Sequence, residues 1–246
     1  FVDLSTAQGY EPSDKASGEL GKTKPWTKQA AYKLRAEEAL RQIRGLPLVV
    51  LRAANIYGPA DTQGLTPRLI CAAAYVQLGE KMRFLWDSSL RMHTVHVADV
   101  AAALWHVAAA DECGGHVYNL ADSSGTTQGS VAAALERLFG IKTGFLGTIA
   151  STAVKTVGLK SFAETANEKH MGPWADMCKA AGILNTPLTP YIDADLLGHT
   201  HLAVDGSAIC ATGFRYAVPQ LTADTLRAQV EMYVAQQLFP ATAMRK

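Results

Sequence analysis

The chain has 246 residues, of which 48% are hydrophobic and 18% charged. This composition suits one large or two small compact domains and excludes a disordered polypeptide. Lys+Arg total 23 against Asp+Glu 22, a formal charge of +1, so no basic field is available to hold nucleic acid or an anionic membrane nonspecifically, and a small-molecule or protein partner is expected.

In chain order, "FVDLSTA" predicts a strand, followed by a polar loop up to Pro25. No initiator Met and no lead-in precede this strand, which points to sequence upstream. A helix is expected from Trp26 to Arg44, with Pro25 just before its first turn and Gly45 as the closing glycine. "LPLVVLRAA" is a nearly continuous apolar run of the kind found in buried parallel strands. "NIYGPADTQGLTP" has loop composition, "RLICAAAYVQL" predicts a helix, and "TVHVADVAAALWHVAAA" a short strand running into a helix with Asp99 in its first turn. "HVYNLAD" predicts a further strand and "TQGSVAAALERLFG" a helix ending at Gly140. From there to about Leu202 the pattern is mixed, and a terminal amphipathic helix follows in "LTADTLRAQVEMYVAQQL". Strands alternating with helices imply an α/β fold with a largely parallel sheet.

The cysteines, Cys71, Cys113, Cys178 and Cys210, form no CxxC pair. They are expected as reduced, mostly buried thiols in a reducing, by default cytoplasmic, compartment, with any targeting segment lying upstream. No apolar run approaches the ~20 residues of a membrane span. His199-x-His201 lacks a third ligand nearby in sequence, so no metal site is expected.

Several segments, in order, resemble the extended short-chain dehydrogenase/reductase family, the NAD-dependent epimerases and dehydratases of nucleotide sugars. "LSTAQGY" resembles the strand end that carries the family's catalytic Ser/Thr. "LRAANIYGP" resembles the stretch that passes the nicotinamide and the substrate phosphates. "TVHVADVAAAL" resembles its His-Val-x-Asp strand and helix, and "HVYNLAD" with "ATGFRYAVPQLTADTLRAQV" its last strand and terminal helix. The resemblance implies a Rossmann-like, mostly parallel sheet with a smaller mixed substrate lobe. On that basis residues 1–58 and 94–122 belong to the dinucleotide-binding lobe, and 59–93 and 123–246 to the substrate lobe. Family members open with a GxxGxxG turn, which is not found here, so the chain is expected to be the C-terminal portion of a domain whose N-terminal half is cleaved or separately encoded. A sheet that starts on this strand would carry an unpaired edge.

The family's chemistry rests on a tyrosine that transfers a proton and a lysine four residues later that lowers its pKa and binds the ribose; that spacing puts both on one helix face. Registered on "AEE", Lys33 takes the lysine position and Gln29 that of the tyrosine. An amide has no usable acidic proton. Tyr32 is followed four residues later by Ala36, so it either reaches the site through a small rotation of the helix or is a packed helix aromatic. The candidate catalytic residues are therefore Thr6, Lys33 and Tyr32, and the candidate cofactor-binding residues Ser5, Thr6, Lys33, Ala54, Asn55 and Ile56. His96 and Asp99 are expected to be structural. Arg68, Arg91 and Arg215 are candidates for a nucleotide diphosphate, although Met92 occupies the register in which the family places its arginine.

Two functions follow. One is an NAD- or NADP-binding epimerase, dehydratase or reductase acting on a nucleotide sugar or another hydroxyl or ketone substrate, with Gln29 at the tyrosine position. The other is an inactive relative kept as a structural or accessory subunit of a protein assembly or homodimer.

Overall fold

A computed structural model describes residues 1–110 and 115–244; Cys113 lies outside them. The chain divides into two compact units. The first comprises Phe1–Ile56, Arg91–Thr126 and Thr200–Leu221, the second Tyr57–Leu90, Thr127–His199 and Thr222–Lys246.

In the first unit, β1 (Val2–Thr6) leads through a 3-10 turn at Ala7–Gly9 and a polar loop to α1 (Lys28–Arg41), then to β2 (Val49–Ala53). β3 (Asn55–Tyr57) lies beside β5 (Thr94–His96), which runs into α3 (Val97–Ala109), and β6 (Val117–Leu120) follows. The main sheet has the order β1-β2-β6, parallel throughout, with Leu4 opposite Leu51 and Leu51 opposite Tyr118. Every residue of β2 is buried. That is what a central strand covered on both faces requires, and it is why "VVLRA" shows no alternation. Leu51, Leu120, Val95 and Ala103 meet in the core with Leu202, Val204, Ile209 and Phe214. Residues 200–221, expected in the other lobe, thus complete the core of this unit. Their apolar positions are spaced irregularly through a 3-10 turn (Ala208–Thr212), so no helix or strand period advertised them.

α1 is shorter than expected. Thr27 Oγ1 accepts the Ala30 N–H at 3.1 Å, which places the start after Thr27 rather than at Trp26. The helix ends at Arg41, with Gly45 (φ 77°) in the turn beyond it.

In the second unit, α2 (Thr66–Leu78) ends at Gly79, and α4 (Gln128–Phe139) at Gly140, both glycines left-handed. β4 (Met82–Phe84) pairs parallel with β7 (Thr143–Phe145). The mixed stretch after Gly140 holds α5 (Gly147–Ala180), kinked at Gly158, where φ is 132° and ψ 112°. Gly158 and Pro173 break its apolar period, which is why the sequence pattern did not announce it. Its first half packs Val154, Leu159 and Phe162 around Leu85, Trp86 and Leu90. Trp86 is left-handed (φ 65°), an uncommon state for an aromatic residue. It is held there by Ser151 Oγ on its N–H at 2.6 Å and by Leu197 O on its indole N–H at 2.8 Å. α6 (Ala223–Ala235) carries Gln229, which accepts the Gly58 N–H at 3.1 Å and donates to Thr66 Oγ1 at 2.8 Å. No helix among the described residues is long and apolar enough to cross a membrane.

The first unit is tied together by one buried ion pair. Arg52 on β2 donates to both oxygens of Glu37 on α1, at 3.0 and 2.6 Å. Ser5 on β1 donates to the same carboxylate at 2.5 Å, and Glu37 has no exposed surface. Burial opposes the charge on Glu37, but the hydrogen bonds from Arg52 and Ser5 and the nearby Arg41 outweigh it and hold its carboxyl below the usual value of 4.5. A carboxyl lowered on folding stabilises the native state above its unfolded pKa, and that contribution is lost as the pH falls through the folded one. Glu37→Gln leaves Arg52 buried without a countercharge and is expected to cost about 3–5 kcal/mol at neutral pH, read from urea denaturation. The gap between wild type and variant should hold above pH 4.5 and close as the pH falls further; an unchanged gap in acid would exclude this assignment.

Candidate functional site

β1 and β2 end on the same side of the parallel sheet, the side on which open α/β sheets bind ligands. Three expected residues lie on or against β1. Lys33, half-buried on α1, directs its Nζ to the Leu4 carbonyl at 2.6 Å. Thr6 is the N-cap of the following 3-10 turn and accepts the Gln8 N–H on Oγ1 at 3.2 Å. Ser5, its neighbour, points the other way into Glu37, because successive strand residues alternate faces. Ser5 therefore stabilises the ion pair, whereas Thr6 retains its O–H for another acceptor.

Tyr32 is not part of this group. The residue is 68% exposed, and its ring lies under the Arg35 guanidinium, 5.5 Å from the ring centroid. Gln29 is exposed as well, on the same helix face as Lys33, four residues earlier. The phenol is turned about 100° away from Lys33 around the helix, one residue's rotation. Packing does not hold it either, so neither alternative left open for Tyr32 describes its position.

The other candidates line the end of β2. Ala54 is buried and donates its N–H to the Leu120 carbonyl at 2.9 Å. Asn55 receives the register of β5 through its N–H to the His93 carbonyl at 3.0 Å and sends its amide to the Met92 carbonyl at 3.4 Å. Ile56 is partly buried against the core. His96 caps α3 by accepting the Ala98 N–H at 3.2 Å. Asp99 accepts the N–H groups of Ala217 and Val218, at 2.6 and 3.0 Å, and so pins the segment before α6. Arg91 donates to Gly125 O, and Arg215 to Cys210 O and Phe214 O. In the same unit His201 accepts the Arg91 N–H at 3.1 Å. In the second unit Arg68 sits in the first turn of α2, and His199 stacks against Trp86 at 4.8 Å. No group of three or more metal-ligating side chains occurs among the described residues.

Two titratable clusters escaped the sequence reading, because their members are distant in the chain. In the first unit Asp122 is buried, accepting from Thr94 Oγ1 at 2.8 Å and from the Ser124 N–H at 3.0 Å. Burial raises its carboxyl above the usual range and lowers the nearby His93 imidazole. In the second unit Cys71 Sγ lies 3.4 Å from His170 Nδ1 and 3.4 Å from Pro190 O. A Cys–His contact has the shape of a nucleophilic pair, but burial pushes the thiol up to about 12. Burial and the neighbouring Lys169 push the imidazole down to about 4. Both partners are thus neutral at physiological pH, and the thiolate a nucleophile needs is not formed.

Residues 1–121 match the NAD dependent epimerase/dehydratase family. The fold is shared with the UDP-glucuronic acid 4-epimerase of Bacillus cereus, solved with UDP-glucuronic acid and NAD: TM-score 0.62, 16% identity, 96% of this chain and 61% of that one. The dTDP-glucose 4,6-dehydratase of Bacillus anthracis str. Ames, solved with NAD, gives 0.62 at 18% identity over 96% and 62%. The UDP-glucose 4-epimerase of Thermus thermophilus, also with NAD, gives 0.57 at 22% over 93% and 64%. The chain therefore spans 61–64% of the length of these structures. No curated protein matches it by sequence.

The neutral state of Cys71 is open to test. Iodoacetamide at pH 8 is expected to leave Cys71 unmodified in the folded protein and to alkylate it in urea, as read by peptide mass spectrometry. Labelling of native Cys71 at the unfolded rate would show a thiolate and restore it as a nucleophile candidate.

Proposed function

We take residues 1–121 as a segment of the NAD dependent epimerase/dehydratase family and propose that this chain is an NAD- or NADP-binding protein of the nucleotide-sugar epimerase/dehydratase type. In this reading its site keeps the groups that hold a dinucleotide and lacks the phenol that moves the proton. The observation that carries it is the placement of Lys33 and Tyr32: the ammonium lies against the end of β1, and the phenol lies out in solvent.

The residues at the end of β1 suit such a ligand. An ammonium has three donors, and Lys33 uses one on Leu4 O, leaving two for the vicinal hydroxyls of a ribose. Thr6 keeps its hydroxyl proton to donate to a carbonyl or hydroxyl oxygen, and Ala54, Asn55 and Ile56 offer a mixed apolar and amide wall at the end of β2. When bound, a nicotinamide dinucleotide takes up and returns a hydride. Every other contribution falls to the chain. Lys33 orients the ligand and keeps a positive charge near it, Thr6 polarises an oxygen, and Gln29, where a tyrosine would stand, holds no proton to give. A general acid–base group is typically worth ~10²–10⁴ in rate, so turnover by the ordinary route is expected to be slower by about that factor. UDP-glucuronic acid, bound in one structural neighbour, and dTDP-glucose, named in the activity of another, are the first substrates to examine.

A second reading, an accessory subunit without turnover, is favoured by the same exposure of Tyr32 and by Gln29. Titration of NAD, NADH, NADP and NADPH into the protein separates the readings when paired with a turnover panel of UDP-glucose, UDP-glucuronate and dTDP-glucose. Lys33→Ala should weaken dinucleotide binding about tenfold, the ~1.4 kcal/mol of one charged hydrogen bond. Gln29→Tyr should raise turnover above that of the native chain. Binding unaffected by Lys33→Ala would remove the site from the end of β1. Absence of binding by any of the four dinucleotides would leave the accessory reading.

A further inference from the structure

In the second unit, the later half of α5 carries Asn167, His170, Trp174 and Cys178 at steps of three and four, all of them buried. That spacing puts them on one helix face. Residues 188–192 run along this face without regular secondary structure, and their alternate carbonyls are each claimed by a buried donor. The Trp174 indole N–H donates to Leu188 O at 3.2 Å, the Cys71 thiol of α2 to Pro190 O at 3.4 Å, and the Asn167 amide to Ile192 O at 3.1 Å. The Ile192 N–H returns a bond to Asn167 Oδ1 at 3.0 Å. The segment is thus a strap antiparallel to α5. The helical rise from Asn167 to Trp174 and the extended reach from Leu188 to Ile192 are both about 10–13 Å, so the rungs stay in register. Leu188 and Pro190 are buried and Tyr191 is turned outward.

His170 holds the middle rung from behind, with Nδ1 3.4 Å from Cys71 Sγ. A thiol has one proton, and here it goes to Pro190 O, so Nδ1 carries the hydrogen of the second contact and donates to sulfur. Pro190 has no N–H to offer in exchange, and the rung rests on the thiol alone. The neutral imidazole therefore joins α5, α2 and the strap in one line and leaves Nε2 as the atom that takes up a proton in acid. A proton there makes a buried cation, and no carboxylate is placed to receive it. From α2 the ring meets Cys71 and Tyr75, the latter at 5.4 Å between ring centroids, both neutral groups whose titration burial pushes upward. Arg68, one turn before Cys71, adds positive charge. On α5 itself Lys169 is a second cation, and the Glu80 carboxylate after α2 is already tied to it at 2.5 Å. Asp193 and Asp195, beyond the strap, are exposed, and Asp193 is spent on the Asp195 N–H at 2.9 Å. Phe239, packed on Trp174 at 5.2 Å, carries no charge.

We infer that residues 188–192 form a proton-released strap: protonation of His170 breaks the middle rung, frees the strap from α2 and α5, and uncovers Cys71. The proton comes from solvent to Nε2 and returns to it, and no covalent bond changes. The direction with pH follows from burial. In the strapped form burial and Lys169 push the imidazole down to about 4, against its ordinary 6.5, so the strapped form binds the proton less well than the released one. Above pH 6.5 His170 is neutral in both forms and release is not driven. As the pH falls from 6.5 to about 4, release grows by about 300-fold, the ratio of the two proton affinities, and it levels off below. The strap lies wholly in the second unit, and nothing in this inference depends on the dinucleotide reading of Lys33.

The test is labelling of Cys71 by a pyridyl disulfide, a reagent that attacks thiols in acid as well as at neutrality, read by peptide mass spectrometry between about pH 7 and about pH 4. Rates are divided by those of the urea-unfolded chain at the same pH. Labelling is expected to rise by up to about 300-fold, with far-UV ellipticity constant across the range. His170→Asn keeps a donor near the Nδ1 position and removes the titration, and should flatten the profile. Asn167→Ala removes a different rung and should raise labelling at every pH with the slope retained. Exchange of the imidazole C2 proton in the unmodified chain gives the His170 titration directly, whether or not His170→Asn folds; a midpoint well below 6.5 is expected. A flat profile in the wild type overturns the proposal, as does a slope that survives His170→Asn. Ellipticity lost in step with labelling, or a His170 midpoint at 6.5, overturns it equally.

Discussion

The contact on which the first unit depends is the buried pair between Glu37 and Arg52. Two charges taken out of water are costly unless every polar atom around them is matched, and here the matching draws on several elements. Ser5 of β1 and Arg52 of β2 both bond Glu37 of α1. The Arg52 guanidinium also lies over the Tyr10 ring, 4.9 Å from its centroid. Tyr10 in turn donates to Asn119 of β6 at 2.8 Å, whose own N–H and amide reach Glu19 and Ser17 in the long loop after β1. Helix, three strands and loop are thus registered by one network, and no buried polar side-chain atom among the described residues is left without a partner.

That network also decides what the site at the end of β1 contains. Because Ser5 is drawn inward to Glu37, Thr6 is the hydroxyl turned to the opposite face. Because Glu37 holds α1 by its buried side, the helix presents Lys33 one turn earlier to β1 and turns Tyr32 outward. Registration of the helix fixes both at once: recruiting the phenol would require a rotation that takes Glu37 out of its pocket. Tyr32 therefore lies off the helix face shared by Gln29 and Lys33, however close it stands in sequence.

The two units use polar burial differently. In the second, Asp61 receives the N–H groups of Gln63, Gly64, Leu65 and Thr66, so the start of α2 is satisfied by the chain's own carboxylate. The Cys71–His170 contact is a neutral packing pair. It has the residue types of a reactive dyad, yet desolvation moves each partner's titration away from neutrality in the direction that removes its charge.

The sequence by itself determined the strands β1, β2 and β6 and the helices α2, α3, α4 and α6, because these rest on local periodicity and on end signals such as Gly140. It did not determine the boundaries of α1, the long kinked α5 or the place of residues 200–221, where Gly158, Pro173 and an irregular 3-10 turn erase any period. Nor did it show which of Ser5 and Thr6 faces the site, the outward direction of Tyr32 or the Cys71–His170 contact. Those were decided by tertiary structure, since they depend on which buried charge must be matched and which face is desolvated. Neither property belongs to any one stretch of chain.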